Sequence, residues 1–569
     1  MEMSRMTAAT DLADLAALLR KLEALLQPWN RSDAPGLVIG VALGGTTIFR
    51  RGFGLASVEH GNANTPATRM RIGSTSKQFA AFCALLLAED GKLDIDLPVR
   101  TWLPELEGVS GAPTLRQMMQ HTSGIRDPLD MPGFMLFGTW SAVICAGAGL
   151  ELAQRFSDAS YAPGERMIYN NQGYHLLSLA IERVSGMPYG AFLKQRVLAP
   201  LGMTDTELLP SDMQMIPGCA SYHLLQPDGS YRRGIYPNEE LLGAGGMVSS
   251  IDDMLKWLSH LRSAEKIVGS AASWDAMLQR SRYCSGAEGD YCLGLTRENY
   301  RGVEIIHHAG AVIGCVSQTL TCPQHQLDIT LTFNRMDASA PGIALKVLDC
   351  VLDGKLDAPT TPLSPEGREA LIGRWYAPDS HRMFGVLAHA MPDQPTGLAL
   401  SIQGQVAGML RQTEGGLVMT CPAHGPVELR LPAAADSAAD AAPIDTLEFT
   451  DSGHPERFLR LPDSPLPATA LAAELVGRYR YADLGVELAV ILEQDTLYLD
   501  LKPRCGSTRF QLTPYSPDLC LGVLQTSWPV PVAAQYFSST VAVERSGGKV
   551  SGLWFNTWRT RNLWLERCG

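Results

Sequence analysis

A serine hydroxyl is a weak nucleophile until a neighbouring base takes its proton, so serines with a lysine at helical spacing are informative. Three stretches have that form: Ser74/Lys77, Ser263/Lys266 and Ser546/Lys549. Ser546-Gly-Gly-Lys549 lies across a turn between two strand-like runs, and Ser263 lies in the polar tail of a helical pattern; both read as solvated surface. Ser74 instead follows Arg-Ile-Gly and opens SKQFAAFCALLLAEDG, an apolar-patterned helix closed by Gly91, which predicts a place in its first turn. Residues three apart on a helix are neighbours, so the Lys77 amine can reach the Ser74 hydroxyl. A helix start also offers free N–H groups and positive potential, so the Ser74 amide can form half of an oxyanion hole. To act as a base the lysine must be neutral, a state that burial and a nearby cation favour. The tetrapeptide alone fits a capping serine and a solvated lysine equally well.

Two further stretches keep it company. Tyr169-Asn170-Asn171 directly precedes an apolar helix, and His308-Ala309-Gly310 lies between two strand-like runs. A tyrosine before a helix is most often a core aromatic, and a lone histidine more often fills or caps than catalyses. His307 and His121 read as structural, the latter as a turn residue. Together, however, a phenol and an amine within reach of one hydroxyl let a proton travel from Ser74 to a leaving group without a Ser-His-Asp triad. His308, neutral or cationic, could then bond the phenol or the substrate.

These residues need a scaffold. PGLVIGVALGGTTIFRRGFG reads as a hairpin turning at Gly44-Gly45, preceded by an amphipathic stretch at 11–29. Helical patterns then alternate with short strands, ending in a helix at 342–352. Proline-rich stretches at 358–367 and 461–470 read as linkers, giving expected domains at 1–357, 368–461 and 471–569. The two later parts open alike, LIGRWY at Leu371 and LVGRYR at Leu475, and close alike, RFLRL at Arg457 and RNLWL at Arg561, at one common offset. That is a tandem duplication, and its short alternating runs predict antiparallel barrels or sandwiches. With 569 residues, 46% hydrophobic and 19% charged, two or three domains are expected. A net charge of -12 argues against a nucleic-acid partner and gives no sign of an anionic membrane. Twelve scattered cysteines without a C-x-x-C pair indicate neither a zinc site nor a disulfide framework. No cofactor or metal is expected, and the N-terminal stretch lacks the pattern of an export signal.

The order S-x-x-K, Y-x-N, H-x-G, with TLRQMMQHTSGI at Thr114, LGMTDTELLP at Leu201 and GAGGMVSSIDDMLKWL at Gly243, resembles the serine hydrolase family of class C β-lactamases, D-alanyl-D-alanine carboxypeptidases and D-aminopeptidases. The resemblance implies an α/β (α+β) β-lactamase/transpeptidase-like catalytic domain with Ser74 as the acylated nucleophile and Lys77 as the buried amine beside it. Tyr169 matches the phenol sharing acid and base duty, and Asn171 the residue that orients lysine and substrate. His308 opens the third motif, Gly310 keeps the backbone clear for an extended substrate, and the Ala311 amide is the second oxyanion donor. The two C-terminal units look like the pair of eight-stranded antiparallel barrels of the family's D-aminopeptidases, which release N-terminal D-residues from peptides, amides and esters and work as cytoplasmic homodimers. In that group a loop of the second barrel reaches the active site. The corresponding stretch here is LQTSWPVPVAAQYFS at 524–538, with Trp528 the expected substrate contact, and it departs from the family pattern in having no Asp or Glu. An esterase or β-lactamase-like hydrolase, or a non-catalytic peptide-binding protein, remains compatible with the same residues.

Overall fold

The computed structural model describes residues 2–128, 147–236, 239–358, 369–389, 397–413, 416–421, 424–431, 444–501, 508–525 and 538–568. Trp528 and nearly all of the proline-rich stretch at 358–367 lie outside them.

The hairpin forms from β1 (Leu37–Leu43) and β2 (Thr46–Phe53). Gly44 and Gly45 both take positive φ, +60° and +81°, the two-residue turn whose twist suits a hairpin and which side chains resist. Four later strands complete an antiparallel sheet: β3 (Thr296–Tyr300), β4 (Val303–Val312), β5 (Cys315–Cys322) and β6 (Leu327–Phe333), in the order β3-β4-β5-β6-β1-β2. Helices α1 (Glu2–Leu26) and α5 (Ala340–Val351) share an apolar core with it through Leu22, Leu26, Ala344, Val347 and Leu348.

A helical layer lies beyond. Helix α2 (Lys77–Glu89) is buried continuously from Lys77 to Leu87, which is why its sequence is apolar almost all round rather than striped. Phe79 and Phe82 pack on Trp257 and Trp274, with ring centroids 4.3 Å apart for Phe79–Trp257 and for Phe82–Trp274. Trp257 lies on α4 (Ile251–Arg262), and α3 (Asn171–Ser185) adds Tyr174, Leu177 and Ile181 to the same core.

The duplicated segments are two closed, eight-stranded antiparallel barrels, running from Gly373–Ala377 to His454–Arg460 and from Gly477–Tyr481 to Leu563–Cys568. Closure removes exposed strand edges. The matching openings do matching work: Trp375 Nε1 donates to the Leu371 carbonyl (3.2 Å) and Tyr479 Oη to the Leu475 carbonyl (2.8 Å), each ring filling its barrel.

The three parts meet at one carboxylate. Asp451 of the first barrel is buried with Arg382 of the same barrel (2.6 Å), Arg166 of the N-terminal part (3.5 Å) and Arg561 of the second barrel (3.8 Å). Burial acts to raise the Asp451 carboxyl, but the three guanidiniums outweigh it and hold it below the usual carboxylate range. The contribution is therefore present at neutral pH and lost as pH falls below the ordinary aspartate range. Asp451→Asn leaves the buried Arg382 and Arg561 and the half-buried Arg166 facing a neutral amide, so we expect a loss of about 3–5 kcal/mol in urea unfolding monitored by tryptophan fluorescence. An unchanged midpoint would show that the cluster is not holding the parts together.

Candidate active site

Ser74 stands in a turn of 3-10 helix, Gly73–Ser76, that runs into α2, not in the first turn of the α-helix itself. The turn is clamped from three sides. Gly73 has φ +52°, and a Cβ there would lie 2.6 Å from the Ala311 nitrogen. The Thr75 hydroxyl lies 3.1 Å from that of Ser317 on β5, and Ser76 Oγ accepts the Met247 N–H at 3.2 Å. Gly73, Thr75 and Ser76 are buried while Ser74 is half-buried. In a 3-10 turn residues three apart eclipse, which stacks Lys77 directly against Ser74.

Lys77 Nζ is 3.3 Å from Ser74 Oγ, 2.8 Å from Asn171 Oδ1 and 2.5 Å from the Ala244 carbonyl. It also lies over the rings of Tyr169 and Tyr174, at 4.7 and 5.3 Å. Burial, helped by Arg559 and opposed by Asp127, holds its pKa well below the usual lysine value. This shell suits a neutral amine: two N–H groups reach the Asn171 and Ala244 oxygens, and the lone pair is left for the Ser74 hydroxyl. Asn171 is fixed as the first residue of α3, its N–H donating to Asp127 Oδ2 at 2.8 Å, while Asn170 caps the helix by accepting from the Gly173 N–H.

Tyr169 enters just before that cap. Its ring packs at a tilt of 36° on His121, centroids 4.1 Å apart, and its hydroxyl is buried without a regular hydrogen bond. Burial raises its pKa, against the smaller pull of Ser74 and Arg559, so the phenol keeps its proton at neutral pH. His121 does more than stabilise a turn: its Nδ1 accepts from the Asn170 N–H (3.1 Å) and its carbonyl accepts from Ile168 N–H (3.1 Å).

His308 on β4 is buried and neutral, pushed down to about 3 by burial and by Lys77. Its Nδ1 faces the Ala309 carbonyl (2.6 Å), which assigns the proton there and lets Nε2 accept from the Tyr291 hydroxyl at 2.8 Å. The partner of His308 is thus Tyr291, not Tyr169, whose ring centroid is 6.3 Å away. Nothing in the sequence around Tyr291 signals this. Gly310 is also needed for packing: a Cβ would lie 1.9 Å from the Ile72 carbonyl oxygen, so the missing side chain lets β4 approach the turn that carries Ser74. The two-residue turn after Val312 makes Val312 and Cys315 a hydrogen-bonded pair; alternation along the ladder then points the Ala311 N–H away from β5, and the Ala311 nitrogen lies close to Gly73. His307 faces the other way, with Nε2 3.3 Å from Glu298.

Both barrels approach Tyr169. From the first, the Gly425 N–H donates to the Met167 carbonyl (3.3 Å) and His424 bridges to Ile168. From the second, the 557–562 turn places the Arg559 guanidinium 5.0 Å from the Tyr169 ring centroid. The expected contact, Trp528, lies outside the described residues; among those described, Arg559 is what the second barrel brings to the site. Also among the described residues, no group of three metal-ligating side chains is assembled, ten cysteines are unpaired, and no helix is long and apolar enough to cross a membrane.

If Lys77 is the base that takes the Ser74 proton it must be unprotonated, and kcat/KM should then rise with pH through an acid limb lying below the ordinary lysine range of about 10. The elevated Tyr169 phenol adds no loss below the ordinary tyrosine range. A limb at the ordinary lysine value would contradict the buried-amine geometry.

The profile of the Beta-lactamase family matches residues 15–349. The chain is similar to a D-aminopeptidase of Brucella melitensis, 25% identical over 575 aligned positions spanning 97% of this chain and 99% of that one. It is similar also to a D-aminopeptidase of Cereibacter sphaeroides, 26% identical with 97% and 98% covered. Among solved structures, the octameric penicillin-binding protein homologue from Pyrococcus abyssi superposes with a TM-score of 0.52 at 18% identity, covering 98% of this chain and 99% of that one.

Proposed function

The chain belongs to the Beta-lactamase family, and on that footing we propose that it is a serine hydrolase of D-stereospecific aminopeptidase type, releasing N-terminal D-residues such as D-alanine from short peptides, amides or esters. The observation that carries the reading is the buried Lys77 amine, its pKa depressed, with its two N–H acceptors and its place against Ser74. The choice of D-aminopeptidase rests on similarity over almost the whole chain, both barrels included, to relatives of that name.

Ser74 Oγ attacks the substrate carbonyl carbon as its proton passes to Lys77 Nζ, and the oxyanion lies against the Ser74 and Ala311 amides. The carbon–nitrogen bond then breaks as the leaving nitrogen takes the Tyr169 proton, which Lys77 replaces. Water attacks the resulting ester, a proton returns to Ser74, and the D-amino acid departs. Asn171 orients Lys77, and neutral His308 with Tyr291 holds the β4 edge. No cofactor takes part. We place the catalytic domain at 1–357 and the barrels at 368–461 and 471–569, and propose a cytoplasmic homodimer.

One observation favours a second reading, an esterase or β-lactamase-like hydrolase: residues 524–538 carry no acid for a substrate ammonium. Hydrolysis of D-Ala-p-nitroanilide, its L isomer, a p-nitrophenyl ester and a chromogenic cephalosporin separates the readings. Turnover of the D-anilide well above the L is expected; turnover of the ester or cephalosporin alone would overturn the aminopeptidase reading.

A further inference from the structure

The turn that brings Arg559 to the site is built to stay where it is. It is closed on itself by the Thr557 N–H to the Thr560 carbonyl (2.8 Å) and by the Thr560 N–H to Thr557 Oγ1 (3.0 Å). The catalytic part holds its far side: Arg126, paired with Asp158, donates to the carbonyls of Arg561 and Asn562, and the Arg561 N–H donates to Ser160 Oγ (3.3 Å). Trp558 packs on His424 of the first barrel, ring centroids 5.4 Å apart.

The charges around this turn are treated unequally. Arg126, Arg166, Arg382 and Arg561 all face carboxylates. Arg559 is half-buried against Tyr169, and among the described residues neither a carboxylate nor a hydrogen-bond acceptor partners its guanidinium. A cation–π contact of this kind is weak and leaves the planar fork of N–H donors unused. That fork matches a carboxylate.

We propose that Arg559 is the subsite for a substrate carboxylate on the leaving-group side, so that the enzyme favours D-aminoacyl dipeptides with a free C-terminus. This rests on the aminopeptidase reading, which fixes the side. The acyl residue carries an ammonium that a guanidinium repels, whereas the leaving nitrogen takes its proton from Tyr169, the ring on which Arg559 lies. In a dipeptide the α-carboxylate is two bonds from that nitrogen.

The test compares D-Ala-Gly with D-Ala-Gly-amide, which share a scissile bond and differ in the carboxylate. The native protein is expected to favour the free acid by about tenfold or more in kcat/KM, chiefly through KM, with the preference shrinking as salt is raised. Arg559→Gln should cost the free acid about tenfold more than it costs the amide, and Arg559→Lys should restore part of the difference; thermal melting checks that both variants fold. Equal treatment of the two substrates by the native protein, or equal losses in Arg559→Gln, would overturn the proposal. Failure of the aminopeptidase reading looks different: neither dipeptide is cleaved. The same comparison is then made on O-acetylglycolate and its amide, and absence of a carboxylate preference there overturns the subsite as well.

Discussion

Ser74→Ala is expected to reduce turnover by about four orders of magnitude or more while leaving the thermal unfolding transition in place. The size follows from the proposed mechanism: without Oγ there is no acyl-enzyme, and the remaining oxyanion donors and proton-carrying groups have no nucleophile to serve. The fold should survive because the turn is held elsewhere, by Gly73 under Ala311, Thr75 against Ser317 and Ser76 on the Met247 N–H, none of which needs the Ser74 hydroxyl. Covalent labelling by a fluorophosphonate should vanish in the same variant. Retained labelling, or turnover within tenfold of the native protein, would remove Ser74 from the mechanism.

Lys77→Ala and Tyr169→Phe are each expected to cost about 10³-fold or more in kcat, and the double variant little beyond the worse single one. On the proposed mechanism the two groups handle one proton: Lys77 receives it from Ser74, and Tyr169, its ring centroid 4.7 Å from Nζ, passes one on to the leaving group. Once either link is gone, removing the other has little left to remove. A double-mutant cycle on kcat/KM reads this. Losses that add in free energy would give the two residues separate tasks.

The parts of this structure readable from the sequence are those governed by local spacing. Ser74 and Lys77 meet because residues three apart meet on any helical turn; even the exchange of an α-turn for a 3-10 turn preserves that pairing. The Gly44-Gly45 hairpin follows from backbone sterics; alternation repeated at a fixed offset left barrels and sandwiches open, the resemblance implied barrels, and barrels are what form. Gly310 was legible as a position, but its packing against the Ile72 carbonyl was not, because that carbonyl belongs to another segment. Tyr291 beside His308, the Asp451 cluster and Arg559 over Tyr169 have no local pattern at all. Each joins residues that come together only when strands pair or whole parts dock. A nearby cation was expected to favour neutral Lys77, yet its source, the turn before the last strand of the second barrel, was visible in the sequence only as the RNLWL repeat. The stretch at 524–538, which drew attention for its prolines and tryptophan, lies largely outside the described residues.

The acyl-enzyme itself can be weighed. Mixing the protein with D-alanine p-nitrophenyl ester, quenching in acid within milliseconds and mapping the digest by mass spectrometry should find a D-alanyl group on the peptide containing Ser74, transient with the native protein and absent with Ser74→Ala. The L ester should leave little or none. Turnover of the D ester with no adduct at Ser74, or with the adduct on another residue, would contradict acyl transfer through Ser74.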